Sequence, residues 1–383
     1  MATKNIQLFA PSFRKEECLS AIGECLDLGW TGLGYKTLEF EKMWCDYTCL
    51  RHAHFLNSAT AGLRLAVKLL KEHHGWDDGD EVISTPITFV STNHAILYEN
   101  LNVVFADIDA MGCLDPESVQ SKITSRTRAV IFVGLGGNVG QLGAIRKICE
   151  ARGLKLILDA AHMAGTRVTG RFPGQGCDAV VFSFQAVKNL PTADSGMICF
   201  AERSLDERAR QASWLGIDKD TFSRTQIGGA YKWYYDVPAI GFKEHGNSVM
   251  AAIAMVQLKY LDADNAYRRQ LCAWYDELLC DNSSIRRVPV ADGCESSRHL
   301  YQIRVDRRDE VLLALNGQGV FPGVHYRDNT EFTMYAHHHD SRTHANQFSN
   351  EVISLPLHLR LTRQDVEYVC ACLGTDLDPH HRS

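Results

Sequence analysis

No apolar run in this 383-residue sequence approaches the length of a membrane span, so no transmembrane helix is expected. Its opening, MATKNIQLFAPSFRKEE, lacks the apolar core of an export signal. Basic residues are not in excess: 40 Lys and Arg stand against 46 Asp and Glu, a net charge of −6. That balance argues against nucleic acid as the main partner. Paired metal-ligand cysteines are missing too. Thirteen cysteines are scattered, and neither CDYTC (Cys45, Cys49) nor CAC (Cys370, Cys372) has zinc spacing. Free thiols in a reducing cytoplasm are the expectation. The stretch MYAHHHDSRTHA holds His337, His338, His339 and His344. Three adjacent histidines cannot all face one ion from a regular element, and no metal site is expected. VGLGGNVGQ (residues 133–141) does not spell G-x-G-x-x-G in any register, which argues against a nicotinamide dinucleotide.

What is present is alternation. SATAGLRLAVKLLKEHH places Leu63, Ala66, Val67 and Leu70 on one helical face. Strands are expected in DEVIST, NVVFADID, RAVIFV, LKLILD and DAVVFSF, with helices in STNHAILYEN and AIRKICEARG. This repeat predicts an α/β domain with a largely parallel sheet. Two apolar runs, residues 179–184 and 197–200, leave no room between them for a crossover helix, so one strand is expected to run antiparallel. Residues 246–279 contain no proline and predict one long helix or two in succession, with Val249, Ile253, Val256 and Tyr260 sharing a face. HLYQIRVD, DEVLLALNGQG, VISLPL and TRQDVEYVCACL outline a smaller α+β unit. The expected division is a large α/β domain over residues 1–245, then a linking helix and small C-terminal α+β domain over 246–383.

Ligands of an open α/β sheet bind at the carboxyl ends of its strands, and four candidates are polar there for no packing reason. In LNSATAGL, Asn57 or Ser58 can cap a helix whose small first residues, Ala59 and Thr60, would let a phosphate reach the unpaired N–H groups. A plain N-cap explains the same residues. Asp159, ending LKLILD, is a structural cap or the partner of a ligand cation. Ser183, between two phenylalanines, is a satisfied buried hydroxyl or a ligand contact. Lys188 lies between the two apolar runs, where a surface turn is the ordinary explanation. A lysine that can form a Schiff base, an acid at a strand end and an anion cradle are together what pyridoxal phosphate requires.

The sequence resembles the DegT/DnrJ/EryC1/StrS family of sugar aminotransferases, within the aspartate aminotransferase-like fold type I. The segments carrying the resemblance are LNSATAGL, GDEVISTPITFVST, VVFADID, LILDAAHMAGT, FSFQAVKNL and GFKEHGNSVMAAIAMVQLKYL. The resemblance implies pyridoxal phosphate as cofactor, with Lys188 as Schiff-base lysine and Asp159 on the pyridine nitrogen. It implies His162 near the phenolic oxygen, Ala59, Thr60 and Ser183 on the phosphate, and Phe89 stacked on the ring. Through GFKEHG it implies a homodimer in which Lys243 and His245 serve the neighbouring subunit's site. His325 and Tyr326, in GVHYRD, match a segment close to the sugar. Departures are Ala59 where glycine is usual, Ala193 and Ser195 in a glycine-rich region, and Glu244 and Gly246 in the cross-subunit segment.

The implied activity is amino transfer, with L-glutamate as donor, to a keto-sugar that is nucleotide-linked or a sugar acid. Relatives with histidine at the lysine position remove a sugar hydroxyl instead, and lysine here favours transfer. A sugar dehydratase and a non-catalytic cofactor-binding partner protein are the alternatives.

Overall fold

The computed structural model describes residues 5–218, 235–338 and 343–377. Seven strands form the central sheet: β1 (His52–Leu56), β2 (Glu81–Ser84), β3 (Asn102–Phe105), β4 (Thr127–Val133), β5 (Lys155–Asp159), β6 (Ala179–Ser183) and β7 (Gly196–Phe200). Their order across the sheet is β1-β7-β6-β5-β4-β2-β3. All neighbouring pairs from β6 to β3 are parallel, whereas β7 runs antiparallel to both β6 and β1. The short connection around Lys188 is therefore a reversal, as its length requires.

Both faces of the sheet are covered. Val180 and Phe182 of β6 join Phe132 and Leu158 in one apolar cluster, and Ala179 and Val181 join Ile131 and Ile157 in the other. The period of two sends successive side chains to opposite faces, so strands buried on both read as continuous apolar runs. The helix Ala59–His74 buries Leu63, Ala66, Val67 and Leu70 against the second cluster.

Residues 246–279 form two helices, Ser248–Leu258 and Leu261–Leu278. Of the residues sharing the expected face, Val256 is buried and Val249, Ile253 and Tyr260 are half-buried, while Ala251, Ala254 and Leu258 enter the core. Alanines allow close approach to the helices Lys15–Asp27 and Tyr35–Thr48, which the larger residues would prevent. A third cluster contains Leu271, Ile303, Leu355 and Val366, around a three-stranded antiparallel sheet of Arg286–Arg287, Tyr301–Arg304 and Val352–Leu355. Ile6 of the amino-terminal segment joins this cluster, and its strand Ile6–Gln7 pairs with Val320–Phe321. The last helix, Arg363–Leu377, opens with Thr362 and Asp365 bonded to each other's backbone and side chain. All thirteen cysteines are free.

Candidate active site

A cavity of ≈ 450 Å³ opens at the carboxyl ends of β5 and β6. One wall is the start of the helix Ala59–His74. Ser58 caps it, its Oγ accepting from Ala61 N at 3.1 Å, and Ala59 and Thr60 line the cavity with first-turn N–H groups. Gly196 opens β7 beneath them. A Cβ there would lie 2.5 Å from Ala59 N, so only glycine lets the strand pass so close to the helix start.

Asp159 ends β5 and is buried. Its Oδ2 accepts from Thr92 Oγ1 at 2.7 Å and its Oδ1 from Ala161 N at 3.1 Å, which fixes the carboxylate plane. Burial raises its pKa, against the pull of those donors and of Lys188. Lys188 lies in the turn between β6 and β7, its N–H bonded to Gln185 O at 2.8 Å. Burial lowers its ammonium pKa to about 8, and only Asp159 opposes that shift. A surface lysine would stay near its ordinary value. This one keeps a usable fraction of neutral amine near neutral pH.

Ser183 lines the cavity at the end of β6, its Oγ accepting from Gln185 N at 3.4 Å. Phe89 precedes the helix Val90–Leu97, and 60% of its surface is open at the cavity. His162 is buried with both ring nitrogens engaged: Nδ1 accepts from Gly136 N at 3.2 Å, and Nε2 lies 3.2 Å from Tyr326 Oη. Tyr326 and His162 stack with centroids 6.1 Å apart. His325 bonds Ser354 Oγ through Nδ1 at 3.0 Å, and burial followed by Lys188 lowers its pKa to about 4. Ala59, Thr60, Phe89, Asp159, His162, Ser183, Lys188, His325 and Tyr326, read separately in the sequence, thus line one space.

Lys243 and His245 are elsewhere in the chain's own fold. Neither lines the cavity among the described residues. The Lys243 ammonium lies 3.3 Å from the centroid of Trp214, and the ring of His245 packs on the same indole at 4.5 Å. Their segment runs beside the end of β1: Asn57 N donates to Glu244 O and Gly246 N to Phe55 O, both at 2.8 Å. The departures in this segment have local explanations. Glu244 forms an ion pair with Arg64. A Cβ on Gly246 would lie 2.2 Å from the ring of Phe55. Ser195 Oγ is buried and bonds Thr192 Oγ1 at 2.7 Å, so it closes the Lys188 turn.

Three residues of the site escaped the sequence reading. Phe9, from the amino-terminal segment, and His299 both line the cavity, and their rings stack at 5.3 Å. Asn189, next to Lys188, bonds His299. His299 is read simply as the lead-in to the strand Tyr301–Arg304, and a lone histidine there carries no periodic signal. Of the histidine-rich stretch, His337 and His338 end the short helical segment Thr333–His338, and His339 lies outside the described residues. His344 Nδ1 lies 3.9 Å from Asp107 at the surface.

This arrangement has counterparts. The model of the DegT/DnrJ/EryC1/StrS aminotransferase family matches residues 13–374. The spore coat polysaccharide biosynthesis protein SpsC of Bacillus subtilis is 32% identical over 371 residues, 94% of each chain. The aminotransferase TlmJ from Streptoalloteichus hindustanus superposes with a TM-score of 0.89 at 33% identity, covering 97% of this chain and 99% of its own. The PMP form of the sugar aminotransferase Spr1654 from Streptococcus pneumoniae gives 0.88 at 28% identity, covering 97% and 98%, and a PLP form of it is also known. Agreement over nearly the whole length makes this chain a member of the DegT/DnrJ/EryC1/StrS aminotransferase family and an enzyme of the sugar aminotransferase type.

Proposed function

We propose that the protein uses pyridoxal phosphate to move an amino group from L-glutamate to a keto-sugar, nucleotide-linked or a sugar acid. The observation that carries this is the facing of an amine of lowered pKa, Lys188, and a buried carboxylate, Asp159, across one cavity beside an open helix start. The residues fit the group: Ala59 and Thr60 open a helix at the cavity, and the open face of Phe89 suits a flat ring.

When bound, the cofactor supplies an electron sink for the pair released at the amino-bearing carbon. Asp159, steadied by Thr92 and Ala161, holds a negative charge against the ring nitrogen. Ala59, Thr60 and Ser183 hold the phosphate, and Phe89 covers the ring. His162 and Tyr326, bonded to each other at the cavity wall, would border the ring. Lys188 Nζ would be the group that holds the cofactor through its aldehyde. Once free, it takes the proton from the donor carbon and returns it one atom away, acting as base and then acid. His325 and Tyr326 border the sugar. Lys243 and His245 would complete the site of a second copy in a homodimer, which the exposure of Lys243 beside β1 permits. The test is a half-reaction: holoenzyme mixed with L-glutamate alone should release one equivalent of 2-oxoglutarate, and a keto-sugar added next should leave as the amino-sugar. Absence of 2-oxoglutarate overturns the reading.

A further inference from the structure

His162 and His299 lie side by side, ring centroids 4.3 Å apart, and their hydrogen bonds fix where each carries its proton. The backbone N–H of Gly136 can only donate, so Nδ1 of His162 must accept. In the neutral ring the proton is then on Nε2, aimed at Tyr326 Oη. That oxygen accepts, and its own O–H is left to donate into the cavity that Tyr326 lines.

His299 is arranged the other way. Asn189 Nδ2 donates to Asn265 Oδ1 and to Ser297 O, each at 2.7 Å. A carbonyl can only accept, so the amide cannot be flipped, and Asn189 Oδ1 faces His299 Nδ1 at 3.0 Å. Nδ1 therefore holds the proton and Nε2 is a bare acceptor. Stacking of Phe9 at 5.3 Å and 13° prevents the ring from turning. Burial, then the nearby cationic and imidazole groups, keeps both rings neutral.

From this geometry we infer that His299 and Tyr326 are an acceptor and donor pair that recognises one hydroxyl group of the keto-sugar. Nε2 of His299 accepts the hydroxyl proton and Tyr326 Oη donates to its oxygen. A hydroxyl is the sugar group that needs both partners; a ketone can use only the donor. The inference rests on the proposed reaction for its substrate class, while the proton positions stand independently of it.

Two measurements test it. Long-range ¹H–¹⁵N NMR of the holoenzyme at pH 7 should show His162 protonated on Nε2 and His299 on Nδ1. The reverse tautomer of either ring, or an imidazolium, overturns the inference. The second uses a nucleoside-diphosphate-linked keto-hexose that the enzyme turns over, and analogues lacking one ring hydroxyl at a time. One analogue should lose about 10-fold or more in kcat/KM with the native enzyme. His299→Asn keeps a donor toward Asn189 and removes Nε2, and for that variant the penalty for the same analogue should vanish. If the two losses simply add, or if His299→Asn discriminates as the native enzyme does, His299 only holds Asn189 and the inference fails. A native enzyme that releases no 2-oxoglutarate from glutamate would instead refute the proposed reaction and leave the NMR result untouched.

Discussion

Two groups of buried charges, one beside β1 and one at the cavity, are built on opposite principles. Glu41, on the helix Tyr35–Thr48, is saturated: Arg210 Nη1 donates to it at 2.8 Å, His54 Nδ1 lies at 3.1 Å and Phe55 N donates at 2.8 Å. Burial alone would raise its pKa, but Arg210 and these donors outweigh it, and the net shift is downward. At the cavity the balance is reversed. Lys188 loses charge to burial with only Asp159 to oppose, and Asp159 rises for the same reason. Pairing that favours the charged form is what a structural cluster needs. Charges left short of partners stabilise little by themselves and are ready to accept a ligand that completes them.

Substitutions can break this contrast. The largest effect is expected at Lys188: Lys188→Ala should lower single-turnover release of 2-oxoglutarate by about 1,000-fold or more without lowering the melting temperature of the cofactor-free protein. Glu41→Gln should do the converse. Removing the charge between buried His54 and Arg210, which keeps its pair with Asp206, costs about 1–3 kcal/mol in urea unfolding, with turnover per folded molecule nearly kept. Loss of turnover at full stability would erase the distinction. Gly246→Ala, in the segment held against β1, must displace the Phe55 ring and is expected to cost about 1–3 kcal/mol. A neutral result would mean the ring moves freely.

The smallest effects are in the pH dependence of stability, and they have opposite signs. The Glu41 carboxyl titrates below its ordinary 4.5 when folded, so its contribution is full above that value and is lost as pH falls through the lower one. Lys188 titrates at about 8 when folded and near 10.5 when unfolded. Between these values the unfolded chain binds more protons, so stability of the cofactor-free protein rises with pH across that window. Urea midpoints at several pH values should show Lys188→Met flattening the alkaline rise by about 1–2 kcal/mol and Glu41→Gln flattening the acid fall. An unchanged alkaline slope in Lys188→Met would place its amine in water.

Much of the site was legible because its parts follow strand ends. Asp159 closes an apolar run, Lys188 interrupts two such runs that are too close for a crossover, and Ala59 and Thr60 open a periodic helix. These are local patterns, and position along the chain suffices to detect them. In residues 248–258 periodicity showed the helix, but Ala251 and Ala254, buried there for closeness rather than bulk, carry no such signal. The glutamate and glycine of the GFKEHG segment looked like departures until Arg64 and the Phe55 ring were seen beside them.

The order of elements, the double-faced strands, the reversal at Lys188 and the placing of that lysine and of Asp159 at the carboxyl ends of strands were determined by the sequence itself. They depend on residues that are neighbours in the chain or at a fixed period. The lowered pKa of Lys188, the recruitment of Phe9 and His299, and the opposite proton positions of the two imidazoles were decided only by the tertiary structure. His299 meets Asn189 across 110 residues of chain, and His162 meets Tyr326 across 164. A titration state or a tautomer is fixed by what surrounds a group in space, and that surrounding exists only after the chain has folded.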